Sequence, residues 1–110
     1  MNLSHNDYLR IMVAIGMPLS SAGTDYAIEC LERIQKREYR TFNELYKEVA
    51  KDKSTTHINV EKCMSKAFTT CRDKPTDFDT VDKYLGYART GTGETLVHLF
   101  VQIKLQNETK

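Results

Sequence analysis

Residues 41–72 of the chain, TFNELYKEVAKDKSTTHINVEKCMSKAFTTCR, decide the fold that the sequence predicts. The segment opens with a capping pattern, because Thr41 is followed three residues later by Glu44. Polar residues 51–54 then break the apolar pattern and are typical of a tight turn. The segment ends in apolar residues at helical spacings of three and four: Val60, Met64, Ala67, Phe68 and Cys71. We therefore predict a short helix over residues 42–51, a turn, and a longer helix over residues 57–72.

The apolar spacing is also helical on both sides of this segment. Upstream we expect helices over residues 6–15 and 24–36, the first capped by Ser4 or Asn6 and closed by Gly16. Downstream we expect a short helix over residues 77–85, capped by Thr76, and a last helix from residue 93 to residue 105, for which a strand is the alternative. The residues expected to face inward in the outer helices are Leu9, Met12, Val13 and Ile15, then Tyr26, Ile28, Leu31 and Ile34, and finally Leu96, Leu99, Phe100, Ile103 and Leu105. The predicted fold class is all-α, a six-helix domain containing a helix-turn-helix.

Length and composition restrict the class of protein. A chain of 110 residues with 40% hydrophobic and 28% charged residues is typical of one globular domain, so we expect residues 1–110 to form a single domain. No apolar run approaches the roughly 18 residues of a membrane span, and the N-terminus does not resemble a secretory signal. The three cysteines form no CxxC pair, which favours reduced thiols and a cytoplasmic location.

The polar face of the helix predicted over residues 57–72 indicates nucleic acid. Residues 41–75 carry seven basic and five acidic side chains, so the basic surplus of the chain falls there. In a helix-turn-helix the second helix lies in the major groove, where glutamate accepts from cytosine and lysine donates to guanine. The candidate DNA-binding residues are Thr55, Thr56, His57, Asn59, Glu61, Lys62, Ser65 and Lys66. The alternative interpretation is a plain helical hairpin with a solvated face.

No other pattern indicates a catalytic, metal or cofactor site. His5, His57 and His98 lie far apart in the sequence, whereas a zinc site needs about four converging ligands. Cys71 falls on the apolar stripe and Cys63 borders it, with no charged partner to activate either thiol. We therefore expect no metal, no cofactor and no enzymatic activity.

Three short elements carry a resemblance to a known family. They are Ile15-Gly16-Met17-Pro18, Ser54-Thr55-Thr56 and Leu85-Gly86-Tyr87. In these elements, and over about residues 8–106 with almost no gaps, the chain resembles the C-terminal effector domain of the sporulation stage-zero transcription factor A, a response regulator of endospore-forming bacteria. Full-length members carry a phosphoacceptor receiver domain, and no part of residues 1–110 resembles one.

The resemblance implies a six-helix fold with a helix-turn-helix that binds double-stranded DNA at promoter boxes. It also implies paired domains on tandem boxes and contacts to a sigma factor of RNA polymerase. The base-reading positions of the family fall on Glu61, Lys62 and Ser65. Glu61 is the residue that the family has, whereas Lys62 and Ser65 stand where arginines are usual, and Lys53 replaces a common apolar turn residue.

Two functions follow as hypotheses. The first is a sequence-specific regulator of transcription in sporulation initiation. The alternative is a receiver-less interaction module, or decoy, that pairs with a full-length relative or a sigma factor and has weak DNA specificity. The substitutions at Lys62 and Ser65 favour the alternative, while Glu61, Lys66 and the capped helix start favour the regulator.

Overall fold

A computed structural model describes residues 2–37, 39–87 and 91–108, in which six helices and no strand occur. The helices are α1 (His5–Ile15), α2 (Ala22–Lys36), α3 (Phe42–Asp52), α4 (His57–Asp73), α5 (Phe78–Tyr84) and α6 (Thr92–Glu108). The all-α prediction is confirmed, and the last segment is a helix rather than a strand. The predicted loop residues Ala88, Arg89 and Thr90 lie outside the described residues. Nowhere in the described ranges does a helix combine the length and apolar content needed to cross a membrane.

The core is organised around the packing of α2 against α4. Helix α3 packs against both of these helices, α1 and α6 contact α2, and α5 lies against α1 and α6. The stripe predicted for α4, from Val60 to Cys71, is fully buried, with Phe68 the largest side chain in it. Because α3 and α4 are consecutive and in contact, their arrangement is consistent with the predicted helix-turn-helix.

Side-chain caps set where most helices begin. Thr41 accepts a hydrogen bond from the Glu44 amide at 3.1 Å, as its sequence pattern predicts. Of the two candidates for α1, Ser4 is the cap, and it forms a capping box with Asp7. The prediction of Thr76 as the cap of α5 was wrong. Asp77 takes that place and accepts from the Asp79 amide at 3.2 Å, which starts the helix one residue later.

Three residues predicted to face inward are exposed. In α1 the inward face consists of Tyr8, Met12 and Ile15, whose angular spacing on the helix leaves Leu9 and Val13 on the solvent side. In α6 the buried residues Leu96, Leu99 and Ile103 lie on one side, and the 100° step per residue puts Leu105 on the opposite side. Whether each of these residues is buried therefore depends on its angular position on the helix and not on its apolar character alone.

One arginine connects α4 to the segment before α6. The Arg72 guanidinium donates to the carbonyl oxygens of Gly86 at 2.8 Å and Leu85 at 3.1 Å, and to Thr95 Oγ1 at 3.0 Å. Gly86 has a φ of +73°, a left-handed conformation that suits glycine and lets the chain turn after α5. Through these contacts the C-terminal end of α4 is held against α6, and its N-terminal end is left at the surface.

Candidate nucleic-acid interface

The turn between α3 and α4 is short and closed by backbone hydrogen bonds. The Lys53 amide donates to the Val49 carbonyl at 3.0 Å, and the Thr55 amide donates to the Ala50 carbonyl at 2.9 Å. Between them Ser54 has a φ of +54°, in the left-handed region that few residues other than glycine adopt. The chain therefore turns within a few residues between the end of α3 and the start of α4.

Lys53 fixes this turn to α2. Its ammonium lies 2.9 Å from Asp25 Oδ2 and 3.5 Å from Glu29 Oε1, both on α2. The hydrogen bond that Lys53 donates to Asp25 raises the pKa of the ammonium, and the charges of Asp25 and Glu29 add to this effect. In this chain the lysine at the turn thus has a defined polar role in place of apolar packing.

The N-terminal end of α4 has a positive electrostatic character. Thr56 caps the helix and accepts from the Asn59 amide at 3.1 Å. The first turn of α4 contains no acidic residue, whereas α1, α2, α3, α5 and α6 each have one. An acid there would offset the partial positive charge of the helix dipole, so the start of α4 remains favourable to an anion such as phosphate.

The surface of α4 that points away from the core carries the predicted base-reading residues. We call Ile58, Glu61, Lys62, Ser65 and Lys66 the exposed face of α4, because all five are exposed and together line one shallow groove. Each of them lies three or four residues from at least one other member of the set, so their side chains lie on one side of the helix. In the described part of the chain, no ion pair occupies Glu61, Lys62 or Lys66. Their charges are therefore available to a ligand.

The remaining predicted residues lie at the edge of this face. Thr56 is exposed, while Thr55, His57 and Asn59 are half-buried. Asn59 Nδ2 donates to Thr55 Oγ1 at 2.9 Å, and Asn59 Oδ1 accepts from Cys63 Sγ at 3.6 Å. These contacts engage the Asn59 amide within the protein, so Thr55 and Asn59 stabilise the helix start.

Ile58 is the residue that sequence reasoning missed. Its side chain is 68% exposed, although every other apolar residue of α4 is at least partly buried. The sequence spacing indicates this exposure. Ile58 lies three residues before Glu61 and four before Lys62, which puts it on their side of the helix, whereas no buried residue of the stripe lies three or four residues from it.

The thiols and the histidines add two observations. Burial raises the pKa of the Cys30 thiol to about 12 and also raises the pKa of Cys71, which keeps both protonated at neutral pH. His5 and Glu32 meet at 2.9 Å, and their ligand atoms lie within 4.8 Å of that of Glu29. Since Glu29 already faces the Lys53 ammonium, we attribute this cluster to polar contacts among α1, α2 and the turn.

The comparison with protein families identifies the chain. Residues 9–103 match the family model described as the C-terminal part of the sporulation initiation factor Spo0A. The chain belongs to this Spo0A C-terminal family. The matched range extends from α1 to α6 and includes the turn and α4. A comparison with individual curated proteins gave no match.

Membership of the Spo0A C-terminal family supports a DNA-binding effector domain of sporulation initiation. It agrees with the family resemblance carried by the three short sequence elements.

Proposed function

We propose that this chain is a sequence-specific DNA-binding regulator of transcription in which α4 reads the major groove. The observation that carries the proposal is the exposed face of α4, where Glu61, Lys62, Ser65 and Lys66 project from a helix whose opposite side is buried. An α-helix fits the major groove of B-DNA, and residues near the N-terminus of a recognition helix reach the base edges.

Each side chain has a defined role in the proposal. Glu61 accepts a hydrogen bond from the exocyclic amine of a cytosine, and Lys62 donates to the acceptors of a guanine. Lys66, one turn further along α4, binds phosphate, and the acid-free helix start binds a second phosphate. Phosphate contacts set the position of the helix, while Glu61 and Lys62 supply the sequence preference.

The proposal assigns binding and no catalytic step to the chain. It includes pairing of two copies on tandem DNA boxes and contact with a sigma factor, both of which the family resemblance implies. A protein-interaction module with weak DNA specificity is the second candidate, and the observation that favours it is Ser65. The hydroxyl of Ser65 cannot make the two-pronged contact with guanine that an arginine makes at this position in the family.

The test is binding to two duplexes, a promoter box of the family type and a scrambled duplex of the same composition, each at about 50 mM and 200 mM salt. We expect a preference for the box that persists at the higher salt concentration, because base contacts depend less on counterion release than phosphate contacts do. Weak, equal and salt-sensitive binding to both duplexes would reject the regulator and support the interaction module.

A further inference from the structure

The second residue of α4 presents an apolar side chain on an otherwise polar surface. Ile58 is 68% exposed and belongs to the same shallow groove as Glu61, Lys62, Ser65 and Lys66. It takes no part in the core, which α4 supplies from its opposite side. At this exposure the Ile58 side chain gains little from folding, and a ligand that covers its apolar surface would add to the stabilisation.

The chemistry of the major groove offers one apolar group to such a side chain. Among the groups that the four bases display there, the C5-methyl of thymine is the one that is recognised by apolar contact rather than by hydrogen bonds. Resting on the function proposed above, we infer that Ile58 is a specificity-determining residue that contacts a thymine methyl group.

The position of Ile58 on the helix locates this thymine. Ile58 precedes Glu61 by three residues and Lys62 by four, which is about 4.5–6 Å along the helix axis. Successive base pairs are separated by about 3.4 Å. The thymine therefore lies one or two base pairs from the bases that Glu61 and Lys62 contact.

The test uses DNA in which single methyl groups are removed. A preferred duplex is first selected with the wild-type chain from a pool of random sequences. Each thymine is then replaced by deoxyuridine, which lacks only the methyl group, and the dissociation constant is measured for the wild-type chain and for Ile58→Ala. Val101→Ala is the matched control, because Val101 is also an exposed apolar residue (42%) but lies on α6.

We expect one thymine at which the replacement weakens wild-type binding about fourfold, the effect of one buried methyl group. Ile58→Ala is expected to bind the thymine and deoxyuridine duplexes equally, while Val101→Ala keeps the wild-type difference. Denaturation curves of the two variants confirm that both are folded.

Three results would overturn the inference. If every deoxyuridine duplex binds the wild-type chain as well as the thymine duplex does, no methyl contact exists, although the selected duplex shows that the proposed function stands. If Ile58→Ala retains the fourfold difference, another residue makes the contact. If the selection yields no preferred duplex, the proposed function fails and the inference fails with it.

Discussion

The backbone of Gly23 in α2 approaches the backbone of Cys63 in α4 so closely that a side chain does not fit between them. A methyl group built on Gly23 overlaps the Cys63 carbonyl oxygen and lies 2.9 Å from the Cβ of Ala67. Gly23 and Ala67 are buried, and α2 and α4 form the central packing of the fold. The absence of a side chain at residue 23 therefore sets the distance between α2 and the helix that carries the exposed face.

Gly23→Ala is expected to destabilise the protein. Alanine in a helix is favoured over glycine by up to about 1 kcal/mol. The clash with the rigid Cys63 carbonyl outweighs this gain, because it forces α2 and α4 apart, and overpacking of this kind costs about 1–3 kcal/mol. Denaturant unfolding measures the difference. Gly91→Ala is the control, since nothing lies within 4 Å of that position. An unchanged or higher stability of Gly23→Ala would show that the two helices are not in such close contact.

Lys53→Met tests the polar connection between the turn and α2. The change removes the ion pairs with Asp25 and Glu29, which are partly exposed, so we expect a loss of about 0.2–1 kcal/mol at low salt. The loss should shrink at about 1 M salt, where charges are screened within about 3 Å. Lys51→Met, at an exposed position with no ion pair among the described residues, is the control. Equal stability of the two variants at low salt would contradict the assigned role of Lys53.

The raised pKa of Tyr8 predicts that the stability of the protein falls at alkaline pH. Burial raises the pKa of this phenol to about 12, with a smaller contribution from the charge of Glu32, and the hydroxyl donates to Gln35 Oε1 at 2.7 Å. An unfolded chain ionises its tyrosines at about pH 10. Since the folded-state pKa of Tyr8 is the higher one, its stabilising contribution is complete below pH 10 and is lost as the pH rises from about 10 to about 12.

The measurement is the free energy of unfolding between pH 9 and 12. The contribution of Tyr8 to the alkaline decline is on the order of 1–3 kcal/mol, and Tyr8→Phe should show a shallower decline than the wild type. Burial also raises the pKa of Tyr46, so part of the decline persists in this variant. Tyr84→Phe, which removes a half-buried tyrosine, is the control. A decline of the same depth in Tyr8→Phe and the wild type would exclude Tyr8 as its source.

Ser65→Arg should sharpen the DNA preference. Ser65 is exposed on α4, so an arginine fits there without disturbing the core. Its planar guanidinium can contact a guanine with two hydrogen bonds, worth about 1–3 kcal/mol of discrimination. Thr69→Arg, also exposed and about one turn further along α4, adds the same charge. Both variants should bind all DNA more tightly, but Ser65→Arg alone should increase the ratio between specific and scrambled duplexes. An equal increase in both variants would place residue 65 away from the bases.

The sequence predicts the helices and the buried stripe of α4, since these depend on local spacing. Thr41 and Glu44 mark the start of α3 through a pattern that is complete within four residues. The exposed face of α4 follows from the same periodicity, as the complement of the stripe from Val60 to Cys71.

The features that the sequence does not predict depend on residues far apart in the chain. The partners of Lys53 lie on α2, more than twenty residues earlier, and become neighbours only when α2, α3 and α4 pack together. The need for glycine at position 23 likewise comes from α4. The apolar character of Leu9 predicts an inward position, whereas the packing of α1 buries Tyr8, whose hydroxyl donates a hydrogen bond to Gln35.

The central claim is that the exposed face of α4 divides base reading from phosphate binding. Affinities for a specific and a scrambled duplex, measured over a range of salt concentrations, test it with Glu61→Ala, Lys62→Ala and Lys66→Ala. Lys104→Ala, an exposed lysine on α6, is the control. We predict that Glu61→Ala and Lys62→Ala change the base preference by about 1–3 kcal/mol, and that Lys66→Ala weakens binding to both duplexes and lowers the salt slope by about 1. Equal losses on both duplexes from all three variants would contradict the claim.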